Sequence, residues 1–301
     1  MDVAITGSSG LIGTALVDAL GAAGHRVVRV VRGVRDTAPG DAVAWDPKAG
    51  TIDAGGLDGI DAVVHLAGAG IGDRRWNDAY KRELLDSRVL GTGLLARTLA
   101  GLSRPPGVLV SASAVGWYGD RGDEVLDETS GPGTGFLADL CQQWETAADP
   151  ARAAGIRVAH TRSGIVLSPR GGALKKELPL FKFGLGGRFG TGKQWQSWIV
   201  LDDEVSAIIH LLTADIAGPV NLTAPHPVTN AEMTKTLGTV LHRPTVLPVP
   251  SFGPKLLLGP ELAAVLLFEG QRVLPRVLEA SGFTFAHPDL EGALRSLLTH
   301  P

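Results

Sequence analysis

A short apolar run, Val3-Ala4-Ile5, leads directly into Thr6-Gly7-Ser8-Ser9-Gly10-Leu11-Ile12-Gly13, and an amphipathic stretch follows from Leu11 to Ala22. No other feature constrains the fold as much as this succession of strand, glycine turn and helix start. The N-terminus of a helix offers unpaired backbone N–H groups and the positive end of its dipole, so the turn reads as a pyrophosphate site. Gly7 allows a tight exit from the strand, Gly10 lets the backbone approach a phosphate, and Gly13 lets the helix pack close to the strand. The spacing, G-x-x-G-x-x-G, is one residue longer than the G-x-G-x-x-G form. Because the chain has 40 glycines among 301 residues, the weight lies in the strand before and the helix after rather than in the glycines alone. Gly7, Ser8, Ser9, Gly10, Leu11, Ile12 and Gly13 are the expected contributors.

The same alternation continues along the chain. Short apolar runs at 26–31, 62–66, 108–112 and 158–162 read as strands covered on both faces, with a later one at 220–222. Helical stretches at 77–102 and 137–154 lie between them. This predicts a doubly wound α/β unit with a parallel sheet and right-handed crossovers over residues 1–165. That unit also receives a strand and a helix from about 198–224. Residues 166–197 and 225–301 read as a smaller C-terminal lobe over the carboxyl edge of the sheet, with 261–298 mainly helical and broken at Gly282. Ligands of such sheets bind at that edge.

Composition excludes several classes. A net charge of −3 without a basic run argues against nucleic acid as the main partner. A single cysteine, Cys141, leaves no internal disulfide and no cysteine metal cluster. No apolar run reaches membrane-spanning length, so no membrane partner is expected. The opening strand leaves no room for a signal peptide, and a cytoplasmic location is the expectation.

Several segments recur in a recognisable order: the glycine turn, Asp61-Ala62-Val63-Val64-His65-Leu66-Ala67-Gly68, Arg88-Val89-Leu90-Gly91-Thr92, Ser111-Ala112-Ser113 running to Tyr118-Gly119-Asp120, and Trp198-Ile199-Val200-Leu201-Asp202-Asp203. Together they resemble the extended short-chain dehydrogenase/reductase superfamily, the NAD(P)-dependent epimerases and dehydratases with a Rossmann sheet. The tracts Gly186 to Gln194 and Gly270 to Pro275 resemble an atypical branch of uncertain function that has a short C-terminal conserved region. Typical members carry a Tyr-x-x-x-Lys pair for proton transfer. The matching positions here are Leu137 and Cys141, neither of which can do that work. Arg88 stands where an asparagine is usual, and Val200-Leu201 stand where a histidine often precedes the Asp-Asp pair.

Residue types and the resemblance together set the site expectations. Arg32, at the end of the second strand, stands where an acid would hold the ribose of NAD. A guanidinium there suits the 2′-phosphate of NADP, with Arg35 as a second cation and Asp36 too far along to serve as the acid. Leu66, Ala67 and Gly68 are small enough to admit the cofactor backbone, while His65 reads as a packed strand residue. The resemblance puts Arg88 at a cofactor-facing position, where it could hold a phosphate or a substrate acid. Ser111 and Ser113 end their strand at the crevice, and Ser113 matches the serine that orients a substrate oxygen. Tyr118 is the better placed of the two tyrosines to act as an acid, with packing or a substrate wall as its other reading.

Cys141 reads as a small buried residue. The resemblance places Arg162, Ser163 and Gly164 near the nicotinamide amide. Arg188, Lys193, Gln194 and Trp198 suggest a polar, anionic ligand stacked on an indole. Asp202-Asp203 reads as helix capping rather than a metal pair, and no metal is expected. The expected function is NADP(H)-dependent hydride transfer on a small polar substrate, of epimerase or oxidoreductase type. The proton would come from Tyr118, water or a substrate group. The alternative is a non-catalytic NADP(H) sensor, which the missing Tyr and Lys favour. A homodimer is compatible with the resemblance, although the sequence marks no face for it.

Overall fold

The computed structural model describes residues 1–33 and 41–299. Fourteen strands are present among them: β1 Asp2–Thr6, β2 Arg26–Val31, β3 Ala42–Asp46, β4 Thr51–Ile52, β5 Ala62–His65, β6 Val108–Ala114, β7 Val125–Leu126, β8 Arg157–Ser163, β9 Ile165–Leu167, β10 Trp195–Gln196, β11 Trp198–Val200, β12 Gly218–Leu222, β13 Val228–Thr229 and β14 Arg272–Val273. The α-helices are α1 Leu11–Ala22, α2 Asp78–Ala100, α3 Phe136–Thr146, α4 Asp149–Ala153, α5 Gly172–Lys182, α6 Leu201–Thr213, α7 Asn230–Leu241, α8 Phe252–Leu258, α9 Pro260–Ala263, α10 Arg276–Ala280 and α11 Leu290–Thr299.

Eight strands form one sheet in the order β12-β8-β6-β5-β1-β2-β3-β4. All its pairings are parallel except β3 with β4. Alternation of side chains along a strand explains why both faces are apolar. Val3 and Ile5 of β1 pack with Leu16 and Leu20 of α1 and Ile208 and Leu211 of α6. Ala4, between them, joins Leu95 and Leu99 of α2 and Ala151 of α4 on the opposite face.

The direction of winding reverses between β1 and β5. Their carboxyl ends therefore leave the crevice in which sheets of this kind hold ligands. The Gly7 turn leaves β1 there, and Leu66-Ala67-Gly68 leaves β5.

Two local expectations need correction. Strands β3 and β4 were not anticipated, because β3 is five residues with only Val43 and Trp45 buried, a weak alternation. The stretch 137–154 is two helices, since Pro150 occupies the first turn of α4 and cannot donate into a continuing helix. Residues 261–298 are mainly helical and break at Gly282, as expected, with Gly270, Pro275 and Pro288 dividing them further into α9 and the π-helical turn that continues it, β14, α10 and α11. The smaller sheets β9–β11, β10–β13 and β7–β14 lie in the second half of the fold and its connections.

Candidate functional site

At the glycine turn the backbone leaves no room for side chains. Gly7 has φ +66°, and a Cβ on it would lie 2.8 Å from the carbonyl of Leu66. A Cβ on Gly13 would lie 2.1 Å from the Gly7 oxygen, so α1 could not approach β1 with any larger residue. At Gly10 the nearest heavy atom to a Cβ would be 3.4 Å away, so this position is open on its outer side. Gly10 caps α1 with no side-chain hydrogen bond, and the first turn holds no acid. The N–H groups of that turn thus lack a side-chain acceptor and are not repelled from an anion by a neighbouring carboxylate. This cradle fits a pyrophosphate. Ser9 is exposed at its rim, whereas Ser8 is buried. Arg32 is exposed immediately after β2. Arg35 and Asp36 lie outside the described residues.

A chain of contacts runs from this turn to a cavity. Gly7 abuts Leu66 and Ala67, whose N–H groups donate to Thr6 Oγ1 at 3.1 and 3.2 Å. Gly68 follows, and a Cβ there would stand 3.3 Å from Arg88 Cζ. Arg88 lines a cavity of about 230 Å³ together with Leu137, Cys141, Ser163, Trp195 and Gln271.

Arg88 comes from the buried side of α2, which Asn77 starts by accepting the Tyr80 N–H at 2.8 Å. Its guanidinium stacks on Trp144 at 4.8 Å and donates to the Leu84 carbonyl. Its Nε has no partner, and among the described residues no carboxylate forms an ion pair with it. Burial lowers its pKa from the ordinary arginine value. Such a cation is poorly compensated by the protein itself.

Behind the cavity lies a closed polar network. Arg162 of β8 meets Glu145 of α3 through two hydrogen bonds of 2.9 Å, with 3% and 8% of these residues exposed. Ser113 donates to the same carboxylate at 2.6 Å. Arg162 also donates to the Tyr118 oxygen at 3.1 Å and stacks on Trp117 at 3.9 Å. Tyr118 in turn donates to Asn221 of β12 at 2.7 Å. Burial pushes the Tyr118 phenol up to about 12, so it keeps its proton.

The expected catalytic pair is accordingly set back from the cavity. The hydroxyls of Ser113 and Tyr118 are engaged with Glu145 and Asn221, and neither residue is in the cavity lining. Successive strand residues point to opposite faces, and it is Ala114 that β6 presents to the cavity. Ser111 is fully buried with its hydroxyl unpartnered.

Of the remaining positions, His65 and Cys141 are packed as expected and the others depart from expectation. Trp198 is wholly buried and donates to the His226 carbonyl at 3.1 Å. The indoles at the cavity are Trp144, under Arg88, and Trp195, with Arg272 stacked on it at 4.3 Å. Gln194 braces two carbonyls, those of Phe189 and Leu267, while Arg188 and Lys193 are exposed. Asp203 accepts the N–H groups of Ala286 and His287. His65 bridges Thr6 and Thr92 at 2.7 and 2.9 Å, and burial with Arg88 nearby lowers it to about 4. Its ring is therefore neutral at pH 7. Cys141 lines the cavity, but burial pushes its thiol up to about 12, far from thiolate chemistry.

Sequence reasoning missed Glu145, Asn221 and Glu204 as partners of site residues. Glu145 carried only the signal of an acid on the apolar face of α3. Asn221 and Glu204 carried none, because their partners are 41 to 103 positions away.

Comparison with known proteins agrees with this fold. Residues 3–223 match the NAD dependent epimerase/dehydratase family, and residues 249–297 match a domain of unknown function, DUF1731. The chain is 47% identical over 300 residues to the epimerase family protein MT2273 of Mycobacterium tuberculosis, covering 99% of this chain and 98% of that protein. It is 37% identical to human epimerase family protein SDR39U1, covering 99% and 100%. A crystal structure of human SDR39U1 (isoform 2) with NADPH superposes with a TM-score of 0.91 at 36% identity, over all of both chains. A nucleoside-diphosphate sugar epimerase from Corynebacterium glutamicum superposes with a TM-score of 0.79 at 41% identity, covering 99% of this chain and 58% of that one. Among the described residues no helix is long and apolar enough to cross a membrane. With a Rossmann-like parallel sheet, a glycine cradle at its crevice and relatives matched along their whole length, the chain belongs to the NAD-dependent epimerase/dehydratase family, in its SDR39U1-like branch.

Proposed function

We propose that the protein binds NADP(H) and carries out hydride transfer on a small, anionic, polar substrate. The observation that carries this reading is the continuous path from the Gly7 cradle through Leu66-Ala67-Gly68 and Arg88 to the cavity. The pyrophosphate would lie on the N–H groups of the α1 first turn. Arg32, exposed after β2, would pair with the 2′-phosphate, and Ser9 would add a hydroxyl. Arg88 would hold an acid or phosphate of the ligand, regaining the compensation that its burial removes. Ser111, Ser113, Tyr118 and Arg162 would brace the cavity from behind its lining, with Ser113 and Tyr118 acting as positioning residues. The cofactor supplies the hydride, so the protein need only orient and polarise.

The NADPH held by human SDR39U1 supports the choice of NADP(H). Calorimetric titration with NADPH and NADH tests it. At least tenfold tighter NADPH binding is expected, about 1.4 kcal/mol, and Arg32→Ala should remove the difference. Equal affinities in the unaltered protein would refute the role of Arg32, and no binding of either nucleotide would refute the cofactor reading.

A second reading, a non-catalytic NADP(H) sensor, is favoured by Leu137 and Cys141 in the cavity wall where the family pair would stand. Oxidation of NADPH by any member of a panel of carbonyl compounds and sugar nucleotides would exclude it.

A further inference from the structure

Tyr118, committed to Asn221, and Cys141, held as a thiol, do not supply the proton of a hydride transfer, and Glu269 of the lining is a half-buried carboxyl raised by burial and by Asp120. One lining residue reaches a buried acid. Ser163 ends β8 at the cavity, and its hydroxyl donates to Glu204 Oε1 at 2.5 Å. Glu204 comes from the first turn of α6 and is 1% exposed. Its Oε2 is buried without a partner.

The hydroxyl is held firmly in place. Gly164 donates to Leu222, and Ile165 donates to Ser197 at 2.8 Å. A Cβ on Gly164 would lie 2.4 Å from the Ser197 oxygen, so the chain leaves Ser163 along a fixed path.

Among the described residues no cation pairs with Glu204. On β8, Arg157 donates to carbonyls at the end of α6, His160 meets Arg152, and Arg162 is paired with Glu145. On α6 itself, Asp203 is capped by two N–H groups, His210 meets Ser281, and Asp202 is exposed. Asp18 of α1 is exposed, and β6, β9 and β11 bring no charged side chain. Burial pushes the Glu204 carboxyl up to about 8, so it carries a proton at neutrality. A carboxylic acid kept neutral, hydrogen-bonded to a hydroxyl at a cavity wall and otherwise unpartnered, is a proton store with one outlet.

We propose that Ser163 and Glu204 form a proton relay into the cavity, with Ser163 touching the ligand and Glu204 recharging Ser163. The inference rests on the NADP(H) reading above. In the reducing direction the substrate carbonyl carbon accepts a hydride from the reduced nicotinamide nucleotide, which is thereby oxidised. The Ser163 hydroxyl turns from Glu204 to the carbonyl oxygen and gives it its proton, while the freed Ser163 oxygen accepts the acid proton of Glu204. The products are an alcohol, the oxidised nucleotide and a Glu204 carboxylate. The reverse sequence restores the acid. Ser163 is the catalytic residue, and Glu204 is a positioning residue that acts through it.

The relay requires Glu204 to be neutral beside the reduced nicotinamide and ionised beside its cationic oxidised form. NADP⁺ and NADPH binding can therefore be compared by calorimetry at pH 7 in buffers of different ionisation enthalpy. The 2′-phosphate is common to both nucleotides and cancels in the comparison. NADP⁺ binding should release about one more proton than NADPH binding. Between about pH 6 and 7 its affinity should rise about tenfold relative to that of NADPH.

Glu204→Gln keeps the side-chain shape. It should bind both nucleotides with equal proton counts and lose the relative pH dependence. Ser163→Ala serves as the second variant. It should move the excess release to higher pH, because the carboxyl loses its only donor. Equal proton counts in the unaltered protein, or an unchanged excess in either variant, would overturn the relay while leaving the cofactor reading intact. Failure of both nucleotides to bind the unaltered protein would overturn the cofactor reading and the relay together.

Discussion

The buried pair of Glu145 and Arg162 gives the most direct test of how this site is held. Glu145 accepts three hydrogen bonds, from Ser113 at 2.6 Å and from the Arg162 guanidinium twice at 2.9 Å. In Glu145→Gln the amide nitrogen would face guanidinium N–H groups, donor against donor. Arg162, 3% exposed, would then be a buried charge without a counter-ion. Breaking such a pair costs about 3–5 kcal/mol, a large share of the roughly 5–15 kcal/mol that holds a folded protein together. Arg162→Met should cost a similar amount by stranding Glu145. The double variant Glu145→Leu with Arg162→Met removes both charges and should lose far less than the sum of the single losses. Its residual cost comes from the Ser113 hydroxyl left without its acceptor and the Tyr118 oxygen left without the Arg162 donor, about 1 kcal/mol each. Urea unfolding at pH 7, followed by tryptophan fluorescence and far-UV circular dichroism, reads these differences. Coincident transitions and unchanged m-values are required for the comparison. Single losses below about 1 kcal/mol, or a double loss equal to the sum, would refute the account of this network as a desolvated ion pair.

Further outcomes follow from the same geometry. Gly13→Ala places a methyl 2.1 Å from the Gly7 oxygen, so it should destabilise the fold by about 1–3 kcal/mol and abolish nucleotide binding. Unaltered calorimetric affinity would contradict the close packing of α1 on the turn. Glu204 has its folded carboxyl raised to about 8 from 4.5, so its contribution to stability is present below pH 4.5 and is lost as pH rises to 8. Relative to the unaltered protein, Glu204→Gln should therefore gain stability between those limits by about 1.4 kcal/mol per pH unit. A pH-independent difference in urea midpoint would refute the burial argument. Cys141, with its thiol near 12, should resist iodoacetamide at pH 8 in the native protein and react after unfolding. Native labelling at the rate of the unfolded chain, followed by mass spectrometry, would show that the cavity wall opens.

The parts legible in the sequence share one property: their signal is local. The glycine turn, the apolar runs of β1, β5, β6 and β8, and the helix after the turn are each written in a dozen consecutive residues. His65 as a packed strand residue was legible for the same reason, as a polar side chain within an apolar run. Strand β3 escaped because two buried positions in five residues do not make a pattern. The wall of the cavity was less legible still. Ser113 lies one residue from the position facing the cavity, and the resemblance could not fix the facing of the strand end. Trp195 and Trp198 are three residues apart in one tract, and only the pairing of β11 with β9 buries the second.

The sequence by itself determined that a parallel α/β sheet would carry a glycine cradle at its first turn, because the backbone there must be glycine at two contacts and unshielded at the helix start. Tertiary structure alone decided which polar groups are spent and which remain available. Ser113, Glu145, Arg162, Tyr118 and Asn221 come from four separate elements and a connecting turn, and they satisfy one another in a low-dielectric interior. Arg88 and the Ser163–Glu204 pair are left with polar atoms unmatched beside the cavity. Charge compensation in a folded chain is a property of distances across the core, and no run of neighbouring residues encodes those distances.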